Sequence, residues 1–513
     1  MQQFQPMEFL AGAGGLNRVQ NVDLFPVTDL VDCEAIIGEH FTWEKEGGAS
    51  LFYPAALGSS IVAAWDFFDN SFVQHQIVGL ADGRILEVNT AGIVATLGTL
   101  TAGQPIIFSE GYIDTTTKAL FVWNGRNLPS YWTGSGALVG ISTPLTEWTG
   151  TNHPTTGFLH GFRQVAFGAA GQPHIVALSS PDNHQAFGAS AEDSSFLTMY
   201  PGEGERIMAG FSWREQAFFG KRPRGLYRLN DEDTNIANWE TPKVTDAVGI
   251  PAHRAVVALE NDVLFLDCDG YFHTLSQIRT DGQKEVPSLL AQELADFIRS
   301  EINLNRLDLV QATYYGRKKQ VLFAVPGVGA STNTRKLLLD LNGEQPRVFF
   351  SRRDECTALT TRREGQTQEP IAGDSLGNLW RLDRAARNKN SVGYTGQYET
   401  PTKPVIDGIQ FANLKELVLE MRPDGEYDLT VEVHRDGALG QTLQISMQTT
   451  GLPIGSFTLS QDALAGKVVA SRPDRLEGEA RHVKLLAKNS GANETFSVMK
   501  QTVRYTPGRH RSG

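Results

Sequence analysis

Asp262-Val263-Leu264-Phe265-Leu266-Asp267-Cys268-Asp269-Gly270-Tyr271-Phe272 reads as a short apolar strand, a tight turn built on glycine and the opening of a second strand. A continuous apolar run of this length suits a strand covered on both faces. Asp-Gly is turn chemistry, with glycine supplying the positive φ. Six other segments repeat the pattern: Gln76-Ile77-Val78-Gly79, Lys118-Ala119-Leu120-Phe121, Gln164-Val165-Ala166-Phe167, Gln216-Ala217-Phe218-Phe219, Gln320-Val321-Leu322-Phe323 and Pro370-Ile371-Ala372-Gly373. Their strand ends are 42 to 58 positions apart, and a glycine follows each within a few residues, at Gly83, Gly125, Gly171, Gly225, Gly270, Gly327 and Gly377. Short strands recurring every ~40–50 residues are the sequence signature of propeller blades. The expected fold is therefore all-β: a β-propeller of about seven blades with an N-terminal extended arm and a C-terminal β-sandwich domain.

Outward from the repeats, Phe121, Phe167, Phe219, Phe265 and Phe323 mark one equivalent core position filled by an aromatic. The longest spacing holds a helical insertion near 288–302, where Leu290, Leu294, Phe297 and Ile298 fall on one face. Residues 1–50 carry no repeat and read as an arm adding strands to the tube or sandwich region. The propeller takes 51–402. Past Pro401 and Pro404 the pattern changes, and 403–513 reads as a β-sandwich with a basic tail. Its candidate strands are 416–421, 427–434, 442–447, 482–487 and 496–505. Tyr427, Leu429, Val431 and Val433 alternate with polar residues, and Arg422-Pro423-Asp424-Gly425 reads as a hairpin-like corner.

Composition narrows the function classes. The chain has 513 residues, 41% hydrophobic and 20% charged, with a net charge of −12, which offers nucleic acid no global attraction. Three scattered cysteines, Cys33, Cys268 and Cys356, give neither a disulfide framework nor zinc spacing. The start lacks a secretory pattern, and no apolar run is long enough to span a membrane.

The motifs that could carry chemistry fall short. Asp374-Ser375-Leu376-Gly377-Asn378-Leu379-Trp380 keeps the Gly-x-x-Trp of a sialidase turn, but its aspartate sits one residue too far from the glycine, so it reads as a blade turn. Asp231-Glu232-Asp233 lacks calcium-loop spacing, and Asp267 and Asp269 read as hairpin chemistry. His153, His160, His174 and His184 are not at metal-ligand spacing. Gly12 to Asn17 and Pro326 to Gly329 fail as nucleotide loops. The expectation is no catalytic, cofactor-binding or metal-binding residue, and no enzyme.

Three stretches carry a resemblance. They are Ser179-Ser180-Pro181-Asp182 with Pro201 to Ile207 and Leu226 to Leu229; Val248 to Val257 leading into Val263 to Leu266 and Asp269 to Phe272; and the helical segment at 288–302 followed by Ala312 to Tyr315 and Val321 to Pro326. In this order they resemble the propeller-bearing tail nozzle or DNA-stabilisation (tail hub) proteins of short-tailed bacteriophages, over about 180–420. The resemblance implies a structural virion protein, a homohexamer below the portal and adaptor ring. It would contact tail fibre or tail needle proteins and conduct double-stranded genomic DNA without sequence-specific binding, after assembly in the host bacterial cytoplasm. The rival expectation is a propeller hydrolase or lyase acting on bacterial surface polysaccharide.

Overall fold

The computed structural model describes residues 5–8, 29–31, 33–37, 41–188, 195–201, 206–233, 235–280, 295–342, 346–351, 355–406, 409–421, 427–447 and 470–508. It is an all-β protein of many small antiparallel sheets. Two compact units divide the chain. One holds residues 51–337 and 354–382; the other gathers residues 1–50, 338–353 and 383–513. Residues 338–353 and 383–402, inside the span assigned to the repeats by sequence, thus group with the second unit.

Seven sheets follow one another along the first unit, here called sheets 1 to 7. Their first strands are Ile61–Phe68, Ile107–Tyr112, Thr156–His160, Ile207–Trp213, Val256–Ala258, Gln311–Tyr315 and Ala358–Glu364. Each pairs with the strand that follows it in sequence, and those second strands contain the seven quoted repeats. The first strand of every sheet touches the first strand of the next, and that of sheet 7 touches that of sheet 1. At the seam between sheets 7 and 1, Phe52 N–H donates to the Leu379 carbonyl at 2.7 Å and Leu57 N–H to Gly377 at 2.9 Å.

Apolar side chains fill the spaces between neighbouring sheets. Phe158, Val165, Phe167, Phe219 and Tyr227 join sheets 3 and 4, and Ala209, Phe218, Ile250, Val263 and Phe265 join sheets 4 and 5. The five phenylalanines of the repeat are all buried, each contributing ~1.5–3 kcal/mol from burial alone. So tight a packing leaves no room at Gly210, where a Cβ would lie 2.5 Å from Phe158 and 2.7 Å from Phe167.

The turns follow sequence chemistry with two shifts. Gly83, Gly125, Gly225, Gly270 and Gly377 adopt positive φ, but in the third and sixth repeats Gly168 and Gly329 take that conformation rather than Gly171 and Gly327. A second device was not legible as a repeat. Asp267 accepts from the N–H groups of Asp269 and Tyr271 and from the His273 ring. Asp374 does the same with Leu376, Asn378 and the Trp380 indole, and Asp69 with Ser71, Val73 and His75. The carboxylate at i, amides at i+2 and i+4 and ring at i+6 form one structure, in which the acid saturates amide donors that the turn leaves unpaired. The sialidase-like segment is therefore a turn of this kind. Of the helical insertion, Ala295–Glu301 is an α-helix with Ile298 buried, and a further helix covers Leu275–Thr280; Leu290 and Leu294 lie outside the described residues.

In the second unit, one sheet runs Cys33–Ile37, Phe41–Lys45, Ser497–Pro507, Ala412–Met421, Ala470–Arg475, and Gln5–Glu8 also pairs with Ser497–Pro507. The other runs Asp29–Val31, Gly396–Glu399, His482–Asn489, Asp428–Arg435, Ala438–Ser446. Tyr398 bridges the sheets, accepting from Gln501 Nε2 at 2.9 Å and packing against Trp43 and Phe496. Leu429, Val431 and Val433 are buried at alternate positions of their strand. The hairpin-like corner expected at Arg422 to Gly425 lies outside the described residues; the strands on either side, Ala412–Met421 and Asp428–Arg435, belong to different sheets. Period-2 patterning gives each strand a buried face but does not choose its neighbour.

Candidate functional site

A cavity of about 440 Å³ in the first unit is lined by residues of sheets 1, 2, 5, 6 and 7. Sheet 1 contributes Trp65 and Asp66, sheet 6 Thr313 and Tyr314, and sheet 7 Thr360 and Thr361. Sheets 6 and 7 thus bring hydroxyl groups from two strands into one space, beside the Asp66 carboxylate of sheet 1.

The decisive pair comes from the 3₁₀ turn His253–Ala255, immediately before the first strand of sheet 5. Arg254 reaches across to sheet 7, where its Nη2 donates to the Leu359 carbonyl at 2.6 Å; the Ala64 carbonyl of sheet 1 lies 3.5 Å away. Its Nη1 is buried and has no hydrogen-bond partner among the described residues. Burial pushes the guanidinium down to about 10. His253 packs against Phe158 and Phe167, with ring centroids at 6.5 and 6.3 Å. Burial, with the Arg254 charge beside it, pushes its imidazole down to about 4, against a hydrogen bond to the Gly210 carbonyl that favours the proton.

Asp66 faces the same cavity. Gln74 Nε2 donates to its two carboxylate oxygens at 2.9 and 3.0 Å, and Arg363 N–H donates at 2.9 Å. Burial nevertheless raises its carboxyl above the usual range. The neighbouring Trp65 indole donates to Glu110 at 3.2 Å. The cavity thus holds a cation tied to sheet 7 with donor capacity to spare, a carboxyl biased toward its proton, and several hydroxyls. Such a lining suits a small polar molecule.

The four histidines singled out by sequence are not brought together. His153 hydrogen-bonds the Gly150 carbonyl. His174 neighbours Lys221. His184 accepts from Tyr112 N–H and donates to the Phe162 carbonyl, and burial lowers its imidazole. His160 lies between Ser212 and Asp231, at 2.9 Å from each. Asp233, in the acidic run, caps the amide of Asn235 and accepts from Asn238. No group of three or more His, Cys, Asp or Glu is placed to hold a metal among the described residues. Gly12 to Asn17 lie outside the described residues. Sequence reasoning passed over His253-Arg254 as chemistry, although two ionisable residues set between Ile250-Pro251-Ala252 and Ala255-Val256-Val257 are an anomaly in an apolar run.

No family model and no curated protein matches the chain. Among solved structures it is similar to the computationally designed Ika8 protein, at 13% identity and a TM-score of 0.39, over 66% of this chain and 99% of that one. No described helix is long and apolar enough to cross a membrane.

Proposed function

We propose that the chain is a structural virion protein of a short-tailed bacteriophage, a tail nozzle that forms a homohexameric conduit below the portal and adaptor. The finer architecture belongs to the same reading. Seven small sheets linked first strand to first strand in a closed circuit are the blades of a propeller, and the second unit is a β-sandwich completed by the N-terminal arm.

Strand addition carries the proposal. Gln5–Glu8 lies along Thr502 to Tyr505, and Asp29–Val31 lies along Gly396–Glu399, so sheets of the second unit are finished by segments from remote parts of the chain. The same backbone pairing extends a sheet with a neighbouring subunit's strand. In this reading the propeller axis is not the DNA path; Arg254 ties the turn before sheet 5 to the first strand of sheet 7 through the Leu359 carbonyl. The conduit is the lumen between subunits, where a chain of net charge −12 gives the phosphate backbone little to grip. Tail fibre or needle proteins are the expected neighbours in the virion.

Native mass and negative-stain imaging of the purified protein, alone and with a phage portal–adaptor complex, test this. A sixfold ring with a hole wide enough for a DNA duplex is expected, either alone or templated by the portal. A monomer that stays a monomer in both samples overturns the proposal.

A further inference from the structure

His160 ends the first strand of sheet 3, Ser212 lies near the end of the first strand of sheet 4, and Asp231 follows the third strand of sheet 4. Ser212 Oγ is 2.9 Å from His160 Nδ1, and Asp231 Oδ2 is 2.9 Å from His160 Nε2. The imidazole is buried, at 5% exposure, while Ser212 is open to solvent. A carboxylate can only accept, so Nε2 carries the ring proton and Nδ1 presents its lone pair to the serine hydroxyl. A hydroxyl held to a base, with the base oriented by an acid on its other nitrogen, is the arrangement that activates serine for attack.

Two tight turns flank the hydroxyl. Gly161 and Phe162 have φ of 52° and 60°, and Arg214 and Glu215 have φ of 48° and 61°. Two-residue hairpin turns with both central residues left-handed keep their central N–H groups out of the ladder. The Gly161 position lies against the acid, since a Cβ there would sit 3.9 Å from Asp231 Oδ2.

We propose that Ser212, His160 and Asp231 form a hydrolytic site for carboxylic esters, an activity beyond the structural role above. Ser212 Oγ bonds to the ester carbonyl carbon as its proton passes to His160 Nδ1. The carbon–alkoxy bond breaks, and the departing alcohol takes that proton. Water then attacks the acyl-serine with His160 again as base, releasing the carboxylic acid and restoring the hydroxyl. No oxidant, metal or further co-reactant enters. Because Ser212 is exposed at a strand end, bulky alcohols are accommodated, so an acyl ester on a polymer surface is a substrate class that fits.

The test uses the full chain with a fluorophosphonate probe and with p-nitrophenyl acetate. Wild type is expected to label at Ser212 and to turn over the ester; Ser212→Ala, at an exposed position, stays folded and loses both. His160→Gln is expected to lower kcat/KM by about 10²–10⁴-fold. Asp231→Asn, on a partly exposed side chain, gives a second variant should His160→Gln melt early, and lowers labelling in the same direction. Absence of labelling in wild type, or labelling and turnover in Ser212→Ala equal to wild type, overturns the proposal and leaves His160 as a tie between sheets. A failed hexamer assay leaves this outcome unaffected, so the two readings fail separately.

Discussion

Replacing His253 by phenylalanine removes a pH-dependent contribution to stability whose size follows from its surroundings. The ring lies among Phe158 and Phe167, so phenylalanine is compatible with the shape of the site. Burial, reinforced by Arg254, lowers the imidazole from 6.5 to about 4. Between those values the unfolded chain binds a proton that the folded chain refuses. Stability is therefore fully present above the unfolded value and is lost as pH falls toward the folded one. With 1.36 kcal/mol per unit, the whole window is worth about 3 kcal/mol, of which about 2 kcal/mol is gone by about pH 5. Urea denaturation followed by tryptophan fluorescence, at about pH 7.5 and about pH 5, measures this. His253→Phe is expected to lose about 2 kcal/mol less than wild type on acidification. The comparison is between pH losses, so a changed baseline stability from the missing Gly210 hydrogen bond cancels. Equal losses in the two proteins, within about 0.5 kcal/mol, would refute the claim that a neutral imidazole is held in the folded state.

Three further outcomes are expected. Asp374→Ala strips the acceptor from Leu376 N–H, Asn378 N–H and side chain, and the Trp380 indole. It should destabilise the first unit by roughly 2–4 kcal/mol, read as a lower urea midpoint; an unchanged midpoint contradicts the turn argument. Gly220→Ala places a Cβ 2.6 Å from Ile250 Cβ and 2.7 Å from its Cγ1. An overpacking cost of about 1–3 kcal/mol should appear as a lower Tm, and Gly103→Ala, which has open space but positive φ, isolates backbone strain for comparison. In the second unit, Asp340 and Arg347 form a buried ion pair, each side chain 2% exposed. Asp340→Ala should cost about 3–5 kcal/mol by removing a carboxylate from a buried guanidinium, and adding Arg347→Met should recover part of it; additive losses in the double variant would dismiss the pairing.

Local chemistry made much of this protein legible in advance. Apolar runs of four to eight residues ended by glycine turns define strands by side-chain period and backbone φ, both written within about ten residues. That is why seven hairpins, the five buried phenylalanines and the alternation through Leu429, Val431 and Val433 could be read directly. Partner choice could not. Ala412–Met421 and Asp428–Arg435 look like a hairpin yet join different sheets, because period-2 patterning fixes a face and leaves the neighbour open. Gly168 rather than Gly171 takes the left-handed position in the third repeat, since a turn's register is settled by how its strands pair. The chemistry lay further out of reach. His160 meets Ser212 and Asp231 across 52 and 71 residues, and Arg254 meets Leu359 across 105. Those approaches exist because neighbouring sheets pack against one another through their side chains, and packing is a sum of long-range contacts that no short window of sequence contains. The sequence by itself determined strands, turns and the all-β class; tertiary structure alone decided which side chains share the cavity and which serine faces a histidine.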